Sequence, residues 1–318
     1  MQSSGFSDLI KQIDNMKYLG LICILLWFSG CKQKAKDGEA AKQETRTSGS
    51  VKILVDDTYS NIVDEQLVVF NSDYPDAKVE LIKGQEQRIL PTFLNDSVRV
   101  IVMSRVLTPK EEEFYTKRGI VAYTQRFAID GVALIANSSN PDSTVTADEM
   151  IAILKGSYTG NKKLVFDNPY SSTVAYFKDL AKIKTLPAKG VYTLQSNADV
   201  IKYVAENKDY IGVIGLNWYL QAGKTGDSDY AKVKLMGVKN VKGGKGDDAF
   251  YKPTQDNLIS GIYPFLRNIY ITNCEGKDGV GTGFANWLAS PRGQLIILKS
   301  GLGPHKLISR DFNLKNSN

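Results

Sequence analysis

Three apolar, strand-like runs of this chain are followed at once by hydroxyl-bearing residues. Thr58, Tyr59 and Ser60 follow VKILVDD, Ser104-Arg105 follows RVIVM, and Ser171, Ser172 and Thr173 follow KLVFDNPY. Two of these segments lead into helix patterns, Val63, Leu67 and Phe70 in one and Val174, Phe177 and Ala181 in the other. A helix start offers free backbone N–H groups and the positive end of the helix dipole, which together attract anions. Hydroxyls add donors without adding charge, so the chemistry indicated is the gripping of an oxyanion. Ser and Thr at helix starts also serve as plain N-caps, and it is the recurrence of the arrangement that points to a ligand. Arg105 adds a side chain capable of charge-assisted, bidentate contact with an oxyanion.

Catalysis has little material. The one histidine, His305, leaves no His-based metal cluster and no Ser-His-Asp triad, and no Gly-x-Ser-x-Gly elbow occurs. GGKGDD at 243–248 lacks the Gly-Lys-Ser/Thr of a phosphate-binding P-loop and reads as a mobile loop. The adjacent acids Asp56 and Asp57 read as capping or solvating groups at a strand end. No enzyme activity, metal or cofactor is expected. The net charge of +6 is carried by scattered lysines, with no arginine–aromatic cluster to mark a nucleic-acid site.

The elements that must position these residues are legible as strands alternating with helices. Strands are predicted at VKILV (51–55), KVELI (78–82), RVIVM (99–103), GVALIA (131–136), KLVF (163–166), YIGVIG (210–215), KVKLMGV (232–238) and NIYIT (268–272). Most are continuous apolar runs, as expected of strands covered on both faces. Thr108-Pro109-Lys110-Glu111 and Thr146-Ala147-Asp148-Glu149 are capping boxes, and Ser290-Pro291 opens a further helix. Such alternation predicts an α/β fold with mostly parallel sheets, and the length favours two lobes over one large sheet.

The N-terminal region sets an address. MKYLGLICILLWFSGC, residues 16–31, reads as a lipoprotein signal peptide with Lys17 before an apolar run too short to span a bilayer. Cleavage after Gly30 would leave Cys31 to be acylated, and Met16 is the expected true start because Asp8 and Asp14 suit no basic n-region. Residues 31–50 read as a solvated tether. Cys23 leaves with the signal, so Cys274 has no partner and is expected as a small buried hydrophobe.

The series VMSRVLTPKEEEFY, FAIDGVALIAN, VFDNPYSSTVAYF, YIGVIGLNW, YPFLRNIYI and WLASPRGQLIILKSGLGP resembles, in order, the phosphate-binding (PstS-like) substrate-binding proteins of ABC transporters. The resemblance implies a type II periplasmic-binding-protein fold, with two mainly parallel α/β lobes and a ligand cleft between them. Domain I would be residues 51–130 plus 263–318, domain II residues 131–262, and 1–30 the signal. It further implies an extracytoplasmic, monomeric, lipid-anchored protein of the cell envelope that captures inorganic phosphate for uptake through an ABC permease. By position, Thr58 and Tyr59 match the family's first binding loop, Ser104-Arg105 the second, and Ser171-Ser172-Thr173 the Ser-Gly-Thr loop. Three departures stand out. Asp167 occupies the place of the usual arginine, Arg105 that of an aspartate which accepts a proton from phosphate, and the serine expected after the second strand is replaced near Gln85-Glu86. Asp57, Asp130 and Asp167 are candidate proton acceptors in its place. The alternatives are another oxyanion, an envelope phosphate sensor without a transporter, or an exported phosphoesterase, for which neither nucleophile nor metal ligands are found.

Overall fold

A computed structural model describes residues 44–306 of the chain. The expected signal peptide, Cys31 and most of the expected tether lie outside the described residues. The first half of the fold holds β1 (Gly49–Asp56), β2 (Ala77–Gly84), β3 (Val100–Met103) and β11 (Leu266–Asn273). The second holds β6 (Lys163–Phe166), β7 (Val191–Thr193), β8 (Tyr210–Gly215) and β9 (Val233–Leu235). A single long strand, β4 (Tyr123–Asn137), belongs to both, so the sheet runs β2-β1-β3-β11-β4-β8-β6-β7. Residues 123–131 of β4 pair with β11, whereas Val132–Ile135 pair with β8. The chain returns across the same line at Phe265, whose carbonyl accepts from the Val132 N–H at 2.8 Å.

Each half is parallel at its outer strands and antiparallel where β4 and β11 enter. The pairs β1–β2, β1–β3, β6–β7 and β6–β8 are parallel; β3–β11, β11–β4 and β4–β8 are antiparallel. The predicted strands all appear, with two differences. GVALIA is only the second half of the 15-residue β4. KVKLMGV breaks at the buried Met236 into β9, which pairs with β4, and β10 (Gly237–Lys239), which pairs with β5 (Thr144–Thr146). The three-residue β5 and β7 and the two-residue β12 (Gly303–Pro304) are too short to carry a readable period.

Helices cover the sheet with their predicted faces inward. In α1 (Ser60–Asp73) Val63 and Phe70 are buried, and Phe70 packs edge-on against Phe284 and Trp287. The buried Gln66 of α1 donates to the Gly293 carbonyl at 2.8 Å and accepts from the Trp287 indole at 3.0 Å. α2 (Glu86–Leu94) and α3 (Pro109–Thr116) flank β1 and β3, and α4 (Ala147–Leu154) opens with one of the two predicted capping boxes. The other, Thr108 with Glu111, opens α3. α5 (Ser172–Ala181), α6 (Asn197–Glu206) and α7 (Leu216–Thr225) belong to the second half. The short α8 (Gln255–Ile259), then α9 (Val280–Ala289) and α10 (Pro291–Ser300) complete the chain.

Two expectations are corrected. The last residues of the expected tether are docked: Glu44 pairs with Lys277 and Arg46 with Asp278. A Cβ on Gly283 would stand 1.8 Å from the Arg46 carbonyl oxygen, so only glycine admits the segment there. The GGKGDD segment is a pinned turn rather than a loose loop. Asn240 donates to the Lys245 carbonyl at 2.8 Å, and the Gly243 N–H donates to Asp247 at 2.6 Å. Cys274 is buried as expected, in a satellite core with Leu54, Phe93 and Tyr115, and burial pushes its thiol up to about 12. Among the described residues no helix is long and apolar enough to cross a membrane.

Candidate functional site

The site is built where β1, β6 and β11 end or cross between the halves. β1 ends in Asp56, whose carboxylate accepts from the Thr58 N–H at 3.1 Å and so caps the 3₁₀ turn Asp57–Tyr59. Across the cleft, β6 ends before Asp167, and the next turn delivers Ser171 as the N-cap of α5. The Ser171 hydroxyl accepts from the Val174 N–H at 3.2 Å and donates to Asp167 at 2.6 Å. Asp167 also accepts from the Asn197 side-chain amide at 3.2 Å, and the Asn197 Oδ1 accepts from the Gly215 N–H. Thr58 and Ser172 meet hydroxyl to hydroxyl at 3.1 Å, joining the first loop to the third. The two halves thus touch directly at the residues the sequence singled out.

Helix α7 strengthens that junction. The Thr58 carbonyl accepts from the Asn217 amide at 2.7 Å and from the Trp218 indole at 3.0 Å, and Asn61 and Asn217 exchange a further pair of hydrogen bonds. A cavity of about 140 Å³ lies beside these contacts, lined by Asp56, Asp57, Thr58, Asp167, Ser171 and Asn197 among others. Its walls come from both halves. The N–H groups of the first turn of α5 have no partner within the helix, so an anion here meets both donors and dipole.

The arginine buried beside these loops is Arg267 of β11, not Arg105. Arg267 is 4% exposed, donates to Asp130 at 2.8 Å and to the Thr173 hydroxyl at 3.1 Å, and lies over the Tyr59 ring at 5.2 Å. Its Nε and the second Asp130 oxygen have no hydrogen-bond partner. Burial works against its charge, but Tyr59, Asp130 and Asp56 more than offset this and raise its pKa. Thr173 and Tyr59 are fully buried and support Arg267 rather than line the cavity. Ser104 stands beside the Tyr59 hydroxyl.

Arg105 is already taken. It donates to Glu86 at 2.7 Å and forks onto both oxygens of Glu111 at 2.8 and 2.9 Å. Glu111 is also the capping-box acid of α3, and its bond with Arg105 holds its carboxyl down to about 2. A side chain clamped between two carboxylates is poorly placed to meet a third anion. Asp130, one of the candidate proton acceptors, is likewise consumed by Arg267. Asp57 and Asp167 do line the cavity. Burial raises the pKa of Asp57 despite Lys83, and burial pushes Asp167 up to about 6 against the lowering effects of Ser171, Arg267 and Asn197.

From the sequence Asp56 reads as a cap at a strand end, and that role hides its place in the site. One oxygen does cap the turn, but the residue is fully buried and its Oδ2 has no partner. Burial, with Glu86 adding to it, pushes Asp56 up to about 7, while Ser172, the Thr58 N–H and Arg267 oppose. Arg267 was signalled only as a charge inside the strand NIYIT's lead-in, YPFLR. Among the described residues no group of three or more His, Cys, Asp or Glu is placed to hold a metal ion.

A continuous strand shared by two α/β halves, with a polar cavity between them, defines the class of two-lobed binding folds, type II. Residues 40–292 match the PBP superfamily domain, and the chain belongs to that superfamily. It is 23% identical over 283 residues to the phosphate-binding protein PstS of Pseudomonas aeruginosa, covering 81% of this chain and 83% of that one. The phosphate-binding protein PstS of Staphylococcus epidermidis is 23% identical over 273 residues, covering 82% and 78%. Among solved structures, an ABC-type phosphate transport receptor from Vibrio cholerae shares the fold with a TM-score of 0.61 at 20% identity, over 80% of this chain and 100% of that one. These relatives are named for binding and transport, not for a catalysed reaction.

Proposed function

We propose that this chain captures inorganic phosphate in the cavity between the sheet halves and hands it to the membrane subunits of an ABC permease. The observation that carries the reading is the meeting of Thr58 with Ser172 beside a small polar cavity, at the starts of two helical segments from opposite halves. The matched relatives, two phosphate-binding proteins and a phosphate transport receptor, supply phosphate as the oxyanion and transport as the task. At about 140 Å³ the cavity suits a tetrahedral ion and is too small for a sugar or peptide without opening. Thr58, Ser171 and Ser172 are the donors proposed, with Asp56 and Asp167 facing any proton the anion carries.

The protein acts as a monomer with domain I at residues 51–130 plus 263–318 and domain II at 131–262, closing over the ion by a change at Asp130–Val132 and Phe265. It works outside the cytoplasm, held to the cell envelope by lipid on Cys31, a reading that rests on the sequence of residues 16–31 alone. Equilibrium dialysis of the protein, unfolded and refolded to strip carried-over ligand, against labelled phosphate tests the assignment. One phosphate per chain, displaced by unlabelled phosphate and untouched by a hundredfold excess of sulfate, is expected. Retention of sulfate alone, or of neither ion, would overturn it.

A further inference from the structure

Among the described residues no Lys, Arg or His lines the cavity between the halves, whereas Asp56, Asp57 and Asp167 do. An anion arriving from solvent must therefore be attracted by a cation outside that lining. The cations near the first-half wall are mostly committed. Lys83 pairs with Asp64 at 2.7 Å, Arg105 is divided between Glu86 and Glu111, and Arg267 is buried against Asp130. Arg88 on α2 differs. It is exposed, and among the described residues its guanidinium meets no carboxylate. It lies instead over the Tyr170 ring, 4.9 Å from the centroid.

Tyr170 belongs to the other half, in the turn between β6 and α5, and is 46% exposed. The contact therefore bridges the halves, apart from the junction of Thr58 with Ser172, Asn217 and Trp218. Both of its ends are rooted in the cavity wall. Gln85, the N-cap of α2, lines the cavity and donates to Asp57 at 3.1 Å, while its carbonyl accepts from the Arg88 N–H at 2.8 Å. On the far side Asn168 and Ser171 line the cavity, and the Asn168 side chain accepts from the Tyr170 N–H at 3.0 Å. An exposed bridge carried by wall residues of both halves stands at the solvent mouth of the cavity. A ring face offers a quadrupole rather than a counter-ion, so Arg88 keeps its charge there.

We propose that Arg88 draws the oxyanion to the mouth of the cavity and, seated on the Tyr170 ring, sets how long the anion stays. The inference rests on the phosphate reading above and adds the residues that govern entry and exit. Parting of the halves lifts Arg88 from Tyr170 and leaves the cation facing solvent, where it attracts the anion. Closure returns the guanidinium to the ring and bars the way out. Tyr170 is a positioning residue in this account, since it acts through Arg88.

Calorimetric titration with phosphate gives Kd, phosphorus NMR exchange between free and bound phosphate gives koff, and their ratio gives kon. Tyr170→Ala should raise koff about threefold to fivefold, the loss of one exposed cation–π contact, while Tyr170→Phe keeps the wild-type koff because the ring face remains. Arg88→Gln should raise koff as much and also lower kon at least about threefold at low salt, a difference that closes as salt screens the charge. Both side chains are exposed, so the melting temperatures of these variants should match wild type. An unchanged koff in Tyr170→Ala, or an unchanged kon in Arg88→Gln at low salt, would overturn the proposal and leave the phosphate reading standing. Absence of phosphate binding by the wild-type protein would overturn both.

Discussion

Arg267 and Asp130 are direct partners across the β11–β4 ladder, and their buried ion pair sits where both strands cross from one half of the fold to the other. The same guanidinium donates to Thr173 in the first turn of α5. One side chain therefore ties the crossing strands to the hydroxyl loop of the second half.

Removing that tie should be costly in a specific way. Arg267→Ala leaves Asp130 buried without a counter-charge and is expected to destabilise the fold by about 3–5 kcal/mol. Pairing it with Asp130→Asn should recover at least about 1 kcal/mol of the loss, because the stranded charge is then gone. Urea titration of the two single variants and the double variant measures this. Strict additivity would contradict the linkage.

Asp56 makes a signed prediction about pH. Its carboxyl is raised from the ordinary 3.8 to about 7 on folding, so the folded state binds the proton more tightly than the unfolded state. The resulting penalty is absent at pH 3, grows as pH rises from about 4 to about 7, and stays constant above that. Asp56→Asn should therefore melt higher than wild type at pH 8, by at least about 1 kcal/mol of stability, with the gain shrinking to nothing below pH 4. A gain that is the same at both pH values would rule out this origin.

Arg105 should behave as a brace rather than a ligand contact. Arg105→Ala frees Glu86, which is 7% exposed, and breaks the link between α2 and α3, so thermal stability should fall by about 1–3 kcal/mol. Phosphate affinity should change less than in Ser172→Ala, for which about a tenfold loss is expected from one hydrogen bond. A collapse of affinity in Arg105→Ala with unchanged melting would return Arg105 to the binding site.

Trp218 offers a reporter. Its indole donates across the cleft to the Thr58 carbonyl, beside the cavity it also lines. Phosphate should alter the tryptophan emission, and Trp218→Phe should abolish the change while Trp287, buried against Phe70, contributes none. An unaltered response in Trp218→Phe would place the ligand-sensitive indole elsewhere.

How much of this was legible beforehand follows from how local each signal is. The strands VKILV, KLVF and YIGVIG and the capping boxes at Thr108 and Thr146 are set by residues within a few positions, and each appears where expected. The meeting of Thr58 with Ser172, 114 residues apart, was reachable only because both follow strands at helix starts. The role of Arg267 was not reachable that way. Arg267, far along the chain from its rival Arg105, becomes the buried one because the β11–β4 register sets it opposite Asp130, and register is not written in either strand alone. Arg105 looked available because Glu86 and Glu111, which claim it, lie on two different helices.

The most direct test of the central claim is a crystal structure of the protein grown with millimolar phosphate. The account places tetrahedral density in the cavity between the halves, within hydrogen-bonding distance of the first turn of α5 and of a carboxyl oxygen of Asp56 or Asp167. Density seated on Arg105 instead, or an empty cavity at that concentration, would contradict it.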